Sequence, residues 1–489
     1  RNWPSKEPNL IFYFFYIFFI CNIYLVSERT GKGKMHVIIV GNGKVGYTLA
    51  KHLSQENNDV IVIDKNAEAL QKAMDNLDVM CIKGNGTRVS VLREAEISRA
   101  DVVIAVTNSD ERNMLCCLAA KRFGAKHTIA RIRDPEYAEE LTMLKRELEI
   151  DMIINPEKEA ALEIAQLIKF PTVSSVENFA QGKVDLVSFR LGKEDFIAGK
   201  SISDIDLKKC SVLFCAVERD GRVFMPTGDF ILKSNDKVYV IGDHENITLF
   251  FKYLGKHQNK IKSVMVIGGG KITHYLTKLI NKVGANIKIV EKNYIKCKDL
   301  NETLPEAIII NGDGTEQELL ESENLEDVDA FIALTDRDEE NIVASLFALN
   351  ANIHNVITKI TRVNYNHIVK NIGVESVISP KTLTANKIIT YVRGLKNKKG
   401  SFIENLYKIV GEQAEAVEFA ANSTTKCLNV ALKDIKIKKG VLIAAIVRNK
   451  DIIIPNGEDS IKDGDNVIIV TEENNIMDIN NILEGGNLI

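Results

Sequence analysis

Short, mostly apolar runs alternate with amphipathic stretches along much of the chain. Val37–Val40, Val60–Ile63, Val79–Ile82, Val102–Val106, Thr128–Ile132 and Met152–Ile154 are such runs, rich in β-branched residues. Runs of this length read as strands buried on both faces. Between them, residues 44–55, 66–76, 110–123 and 135–148 carry helical periodicity. The alternation predicts a parallel sheet with helices on both faces. From Val173 the texture changes. Val184–Leu191, Val212–Glu218, Arg222–Met225 and Lys237–Ile241 are strand-like, Asp220-Gly221 marks a hairpin turn, and residues near 245–254 form a closing helix. This is a smaller α+β module.

The first strand runs into Gly41-Asn42-Gly43-Lys44-Val45-Gly46, a G-x-G-x-x-G at a strand–turn–helix junction. In that setting the first glycine allows the turn, the second lets a phosphate approach the backbone, and the third lets the helix lie close on the strand. The helix N-terminus then offers free N–H groups to an anion. Asp64 ends the second strand, 23 residues after Gly41, where a dinucleotide fold keeps its ribose-binding carboxylate. A solvated strand-end acid is the plainer reading of Asp64. Lys44 is either charge support for phosphate or a solvated loop lysine. Asn85, in Gly84-Asn85-Gly86-Thr87, either borders an adenine or serves the turn.

This layout occurs twice. Gly268-Gly269-Gly270-Lys271-Ile272-Thr273 follows Val264–Ile267 at an offset of 227 residues, and Asp64 falls on Glu291. Gly312-Asp313-Gly314-Thr315 repeats the turn at Asn85, and Ala333-Leu334-Thr335-Asp336-Arg337-Asp338-Glu339 repeats Ala105-Val106-Thr107-Asn108-Ser109-Asp110-Glu111. The small module repeats too: Ile452–Gly457 answers Val223–Gly228. The chain is a duplication. It divides into an apolar extension (1–34), a nucleotide-binding domain (35–172), a small domain (173–256), a second nucleotide-binding domain (261–395) and a second small domain (400–486).

Composition changes this picture little. The 489 residues suit two to four domains, and 45% hydrophobic with 26% charged residues suits folded protein. A net charge of −3 counts against a nucleic-acid partner. The eight cysteines contain no C-x-x-C and sit mostly in apolar runs, which suits reduced, buried thiols in a cytosolic protein. The histidines show no metal-ligand spacing, and neither G-x-S-x-G nor a Walker A loop occurs. Residues 10–26 are apolar except for Asn22. They read either as an anchor at the lower length limit for a membrane span or as an in-frame leader before a start at Met35.

The glycine loop with Asp64, the Ala105–Glu111 segment, Ile129-Ala130-Arg131-Ile132-Arg133 and Ser379-Pro380 together resemble the regulators of Trk potassium uptake, which are built from RCK (TrkA-N) and TrkA-C domains. The resemblance covers residues 35 to about 486. It implies two Rossmann-like domains, each followed by a small α+β domain, and an adenine nucleotide, NAD(H) or ATP/ADP, in each Rossmann unit. Gly41, Asn42, Gly43, Lys44 and Val45 would wrap the phosphates, Asp64 would take a ribose, Thr107 and Asn108 would border the site, and Arg131 would reach the phosphates. In the second unit the corresponding residues are Gly268, Gly269, Gly270, Lys271, Ile272, Glu291, Thr335, Asp336 and Lys359. There the third glycine is Thr273, whose side chain is expected to push the helix off the strand. The resemblance also implies a TrkH/TrkG-like membrane potassium transporter subunit as partner, a homo-oligomer, and a place on the cytoplasmic face of the plasma membrane.

The alternative activity is an NAD-dependent dehydrogenase. That needs a catalytic domain with a proton-transfer residue at the nicotinamide. Only about 85 residues follow each Rossmann unit, with His244 the sole histidine in the first small module and none in the second. A non-catalytic sensor is therefore expected. A bare scaffold would leave the fingerprint with Asp64 unexplained.

Overall fold

The computed structural model describes residues 34–484, apart from 139, 208, 257–259, 363–364, 397–401, 410–412 and 474–475. The apolar stretch 10–26 lies outside the described residues. Among those described, no helix is long and apolar enough to cross a membrane.

Six parallel strands form the first sheet: β1 (His36–Val40), β2 (Asp59–Asp64), β3 (Met80–Lys83), β4 (Val102–Ala105), β5 (His127–Arg131) and β6 (Met152–Ile154), in the order β3-β2-β1-β4-β5-β6. The crossovers carry helices α1 (Lys44–Gln55), α2 (Ala67–Asn76), α3 (Val89–Glu94), α4 (Asp110–Arg122), α5 (Pro135–Ala138) and α6 (Leu141–Glu147), and α7 (Pro156–Lys169) leaves the last strand. The starts of these helices are written in the sequence. Asn66 accepts from the N–H groups of Glu68 and Ala69, Ser109 from that of Arg112, and Asn155 caps α7 ahead of Pro156. The helix expected over 135–148 is two short helices. The Glu140 N–H turns back to the Tyr137 carbonyl (3.1 Å) just after the first.

The small module is a five-stranded antiparallel sheet of β7 (Ser175–Phe179), β8 (Val184–Arg190), β9 (Leu213–Arg219), β10 (Arg222–Phe224) and β11 (Lys237–Asp243), in the order β10-β9-β11-β8-β7, followed by α8 (His244–Tyr253). The sequence pattern does not announce β7, because Ser175, Glu177 and Asn178 break its apolar character.

The second half repeats both sheets. The parallel one contains β12 (Ser263–Ile267), β13 (Asn286–Glu291), β14 (Ile308–Asn311), β15 (Ala330–Ala333), β16 (Asn355–Lys359) and β17 (Ser376–Ile378), again ordered 3-2-1-4-5-6. Its helices are α9 (Lys271–Val283), α10 (Tyr294–Thr303), α11 (Gln317–Ser322), α12 (Asp338–Asn350), α13 (Asn366–Asn371) and α14 (Pro380–Lys396). The antiparallel sheet contains β18 (Phe402–Ile409), β19 (Ala414–Ala420), β20 (Val441–Arg448), β21 (Asp451–Ile453) and β22 (Asn466–Thr471), with the same topology as the first. The counterpart of α8 is a short 3-10 turn, Ile479–Ile482. The fold is thus two Rossmann-like α/β domains, each followed by a small α+β domain.

The halves interlock by exchanging helices. On one face of the first parallel sheet, Leu49 and Leu53 of α1 share a core with Ile388, Ile389 and Val392 of α14, which belongs to the second half. On the second parallel sheet, Leu276 and Ile280 of α9 share a core with Ala160, Ile164 and Ile168 of α7, from the first half. The two antiparallel sheets meet face to face through Leu186, Ala216 and Ile241 on one side and Ala416, Ala445 and Ile468 on the other. Where α1 ends, Arg393 of α14 bonds both Glu56 (2.6 Å) and Glu415 of β19 (3.0 Å). At 1%, 4% and 1% side-chain exposure, these three charges are held almost out of water.

Candidate functional site

The strand order reverses at β1, with β2 on one side and β4 on the other, and this leaves a crevice at the carboxyl ends of the strands, where open α/β sheets hold ligands. Here it is a cavity of about 480 Å³. Nine of the residues singled out in the sequence line it: Gly41, Gly43, Lys44, Val45, Asp64, Asn85, Thr107, Asn108 and Arg131. Gly41 takes φ +105°, a conformation that glycine adopts freely, to turn the chain into α1. Gly43 precedes α1 without a side-chain cap. The first N–H groups of α1 therefore have no side-chain cap to satisfy them. A Cβ added to Gly43 would meet nothing within 4 Å, so the space above the loop is open. Gly46 has the opposite role: a Cβ there would lie 1.8 Å from the Gly41 carbonyl oxygen.

Asp64 is fixed from behind. It accepts the Asn42 N–H (2.5 Å) on one oxygen and the Asn66 N–H (2.8 Å) on the other. Asn42 itself does not line the cavity; its side chain donates to the Ala69 carbonyl (2.6 Å). Arg131 donates to the Thr107 carbonyl, while its Nε is buried with no hydrogen-bond partner. Burial pushes the Arg131 guanidinium down from its ordinary value, and neighbouring Arg133 adds to this. A buried, unsatisfied guanidinium N–H on a residue lining the same cavity as an open glycine loop and an uncapped helix end suits a phosphate. The residues present therefore fit a dinucleotide.

The second unit keeps the loop but not the pocket. Gly268 repeats the turn (φ +99°). Thr273 sits where no Cβ fits in the first unit, and its hydroxyl donates to the Gly268 carbonyl (2.5 Å). Its side chain is fully buried, so α9 must stand further from the loop than α1 does. Gly269 replaces Asn42, and the space its side chain would fill is taken by Leu300 Cδ1, 2.3 Å from a Cβ built there. Leu300 itself stands where the first half has Ala73. Burial works against the Glu291 charge, yet the N–H groups of Asn293 and Gly269, together with Lys296, hold its carboxyl below the usual range. Asp313 is pushed down to about 2 by Lys292 and by Thr315. Gly269, Gly270, Lys271, Ile272, Asp336 and Lys359 line a cavity of about 630 Å³, while Gly268, Glu291, Asp313 and Thr335 do not. That cavity opens toward the first half, whose Arg133, Asp134 and Glu157 form its far wall.

Across this boundary Lys271 pairs with Asp134 (2.7 Å), while Arg133 and Glu157 pair with each other on the far wall (2.6 Å). The repeat puts Arg362 at the position of Asp134 and Lys381 at that of Glu157. Lys44 thus faces Arg362 across a cleft of about 390 Å³, alongside the acidic start of α12. Burial pushes the Lys381 ammonium down, with Lys44 and Lys51 adding to it.

Sequence reasoning missed the residues that hold the strand ends. Asn113, fully buried, accepts from the Thr107 N–H (2.8 Å) and donates to the Arg131 carbonyl (2.8 Å), tying β4 to β5. Asn341 does the same for Thr335 (2.8 Å) and Lys359 (2.9 Å). Asp110 accepts from the Arg133 and Asp134 N–H groups, as Asp338 does from Thr361 and Arg362. The signal was in the duplication: asparagine and aspartate recur at these places in a helix, where they lack propensity.

Comparison with known proteins agrees with this geometry. The TrkA-N domain matches residues 37–156 and 264–380, and the TrkA-C domain matches 186–255 and 416–484. Trk system potassium uptake protein TrkA homolog 1 of Methanosarcina mazei is 35% identical over 443 residues, covering 89% of this chain and 97% of that protein. Trk system potassium uptake protein TrkA of Vibrio alginolyticus is 33% identical over 440 residues, covering 89% and 95%. Among solved structures, the GsuK channel superposes with a TM-score of 0.60 at 16% identity, over 90% of this chain and 77% of that one. The GsuK channel bound to NAD superposes with a TM-score of 0.59 at 15% identity, over the same shares. With both domain types matched twice and such identity along nearly the whole length of its relatives, the chain belongs to the TrkA family, the regulatory proteins of Trk potassium uptake.

Proposed function

We propose that this chain senses an adenine dinucleotide in its first Rossmann unit and passes that state to a membrane potassium transporter, without catalysing a reaction. The observation that carries the reading is the constellation in one crevice: open Gly43, the uncapped start of α1, orphaned Arg131 Nε and braced Asp64. NAD(H) is the ligand this arrangement favours, because the Asp64 carboxylate accepts from ribose hydroxyls and repels a 2′-phosphate. ATP or ADP would use the same loop. That a channel of the same fold was solved with NAD bound supports the ligand class. A TrkH/TrkG-like subunit is the partner that the family suggests, with the chain acting as a homo-oligomer at the inner face of the membrane.

A sensor must do more than bind: its ligand must prefer one state. A tenfold preference at one site is worth about 1.4 kcal/mol, and moving a population from mostly shut to mostly open takes about 5.5 kcal/mol. Several sites acting together are needed, which suits an oligomer. The test is titration calorimetry on the full chain with NADH and NADPH, beside potassium-flux measurements with the transporter. NADH should bind more tightly than NADPH, and Asp64→Ala should remove the difference. Equal affinity for both in the unmodified chain, or hydride transfer to a metabolite, would overturn the reading.

A further inference from the structure

Where α7, α14, β7 and β18 meet, corresponding elements of the two halves form a cavity of about 600 Å³ that neither glycine loop lines. All four domains contribute to it. α7 brings Glu159 and Glu163, β7 brings Glu177, and β18 brings Glu404 and Tyr407. α14 brings Tyr391 and the one cation of the lining, Lys387, which is already paired with Glu159. Glu404 is exposed and accepts from Asn466 Nδ2 (2.8 Å). Glu218 adds further negative charge behind Tyr407. Glu163 Oε2 is buried with no hydrogen-bond partner, and among the described residues neither Glu163 nor Glu177 has an ion pair.

Both residues are half-buried, and two carboxylates that share one cavity whose lysine is already paired elsewhere cannot both ionise cheaply. Burial pushes the Glu163 carboxyl up to about 8. Burial and then Glu163 raise Glu177, with Lys387 pulling weakly the other way. We propose that Glu163 and Glu177 are a proton-operated latch on this four-domain junction: protonated, they let α7 and β7 pack together against α14 and β18; ionised, they drive α7 and β7 apart. The latch stands on this geometry and not on the nucleotide reading. Combined with a regulatory role, it would make cytoplasmic pH an input to potassium uptake.

The sign follows from proton counting. A carboxyl raised in the closed form keeps a proton that the open form releases. Between the ordinary value of 4.5 and about 8, each pH unit upward therefore favours opening tenfold through Glu163, and Glu177, raised by burial and by Glu163, acts in the same direction. The test is hydrogen–deuterium exchange on the full chain from pH 5.5 to 8.5, corrected for intrinsic exchange. Protection in segments 156–169 and 175–179 should fall at least tenfold per pH unit across the window in the unmodified chain. It should be flat in the Glu163→Gln/Glu177→Gln double variant. Flat protection in the unmodified chain, or an unchanged slope in the double variant, overturns the proposal. So does failure of the double variant to fold, because glutamine reproduces the neutral form on which the closed junction rests. Nucleotide affinity is measured separately, so loss of one reading leaves the other standing.

Discussion

Within the first glycine loop, neighbouring residues answer to different demands. Gly43 is free of neighbours and Gly46 is not. Gly43→Ala should therefore leave the melting temperature within a degree or two while weakening nucleotide binding at least tenfold, read by calorimetry and thermal denaturation on one sample. Gly46→Ala should cost about 2 kcal/mol, since a Cβ 1.8 Å from the Gly41 carbonyl oxygen forces α1 outward. In the second unit the same crevice is reshaped without losing the fold: Asn42 becomes Gly269 and Ala73 becomes Leu300, and the leucine fills the space vacated. Carrying that pair back, as Asn42→Gly with Ala73→Leu, should leave a folded chain whose first site no longer binds NADH. An unaltered dissociation constant would show that this exchange does not govern occupancy. The glycine loops, Asp64 and Glu291 were legible because backbone freedom and charge at a strand end leave marks in one dimension. The exchange of Asn42 for Leu300 was not, because it couples positions on two separate helix–strand units.

At the scale of elements, the strands and helices of the Rossmann units were legible from periodicity, since each strand is buried on both faces and each helix on one. β7 was not, because its Glu177 and Asn178 face a cavity that both halves build. Nor could periodicity say that α7 and α14 leave their own sheets to cover each other's. Both helices show an apolar stripe, and a stripe does not name its partner. The Arg393–Glu56–Glu415 cluster is the electrostatic signature of that exchange. It binds the far end of α1, the helix that begins at the phosphate loop, to the second small domain. Arg393→Met leaves two carboxylates buried without their cation and should cost about 3–5 kcal/mol. Glu56→Gln with Glu415→Gln and Arg393→Met together should recover much of it. Chemical denaturation of the full chain measures both.

On the scale of the molecule, the duplication predicts a site in each half, the second disturbed by Thr273, and the structure holds two unequal crevices. Only the first unit keeps its acid, its turn residue and its glycine loop around one space. Calorimetry should accordingly return one dinucleotide per chain, and two equivalent sites would contradict the asymmetry. The helix exchange bears on how the chain is made. Glu56 and Arg393 are 337 residues apart, so the first parallel sheet waits for its covering helix until most of the chain has left the ribosome. At about 5–20 residues per second that wait is roughly 15–70 s. Through it, the α14-facing apolar surface of an otherwise formed Rossmann sheet stays open to water. A nascent chain arrested before residue 380 should hold on to chaperones that release it once α14 has emerged, so the ribosome and its attendants see for half a minute a surface that the finished protein never shows.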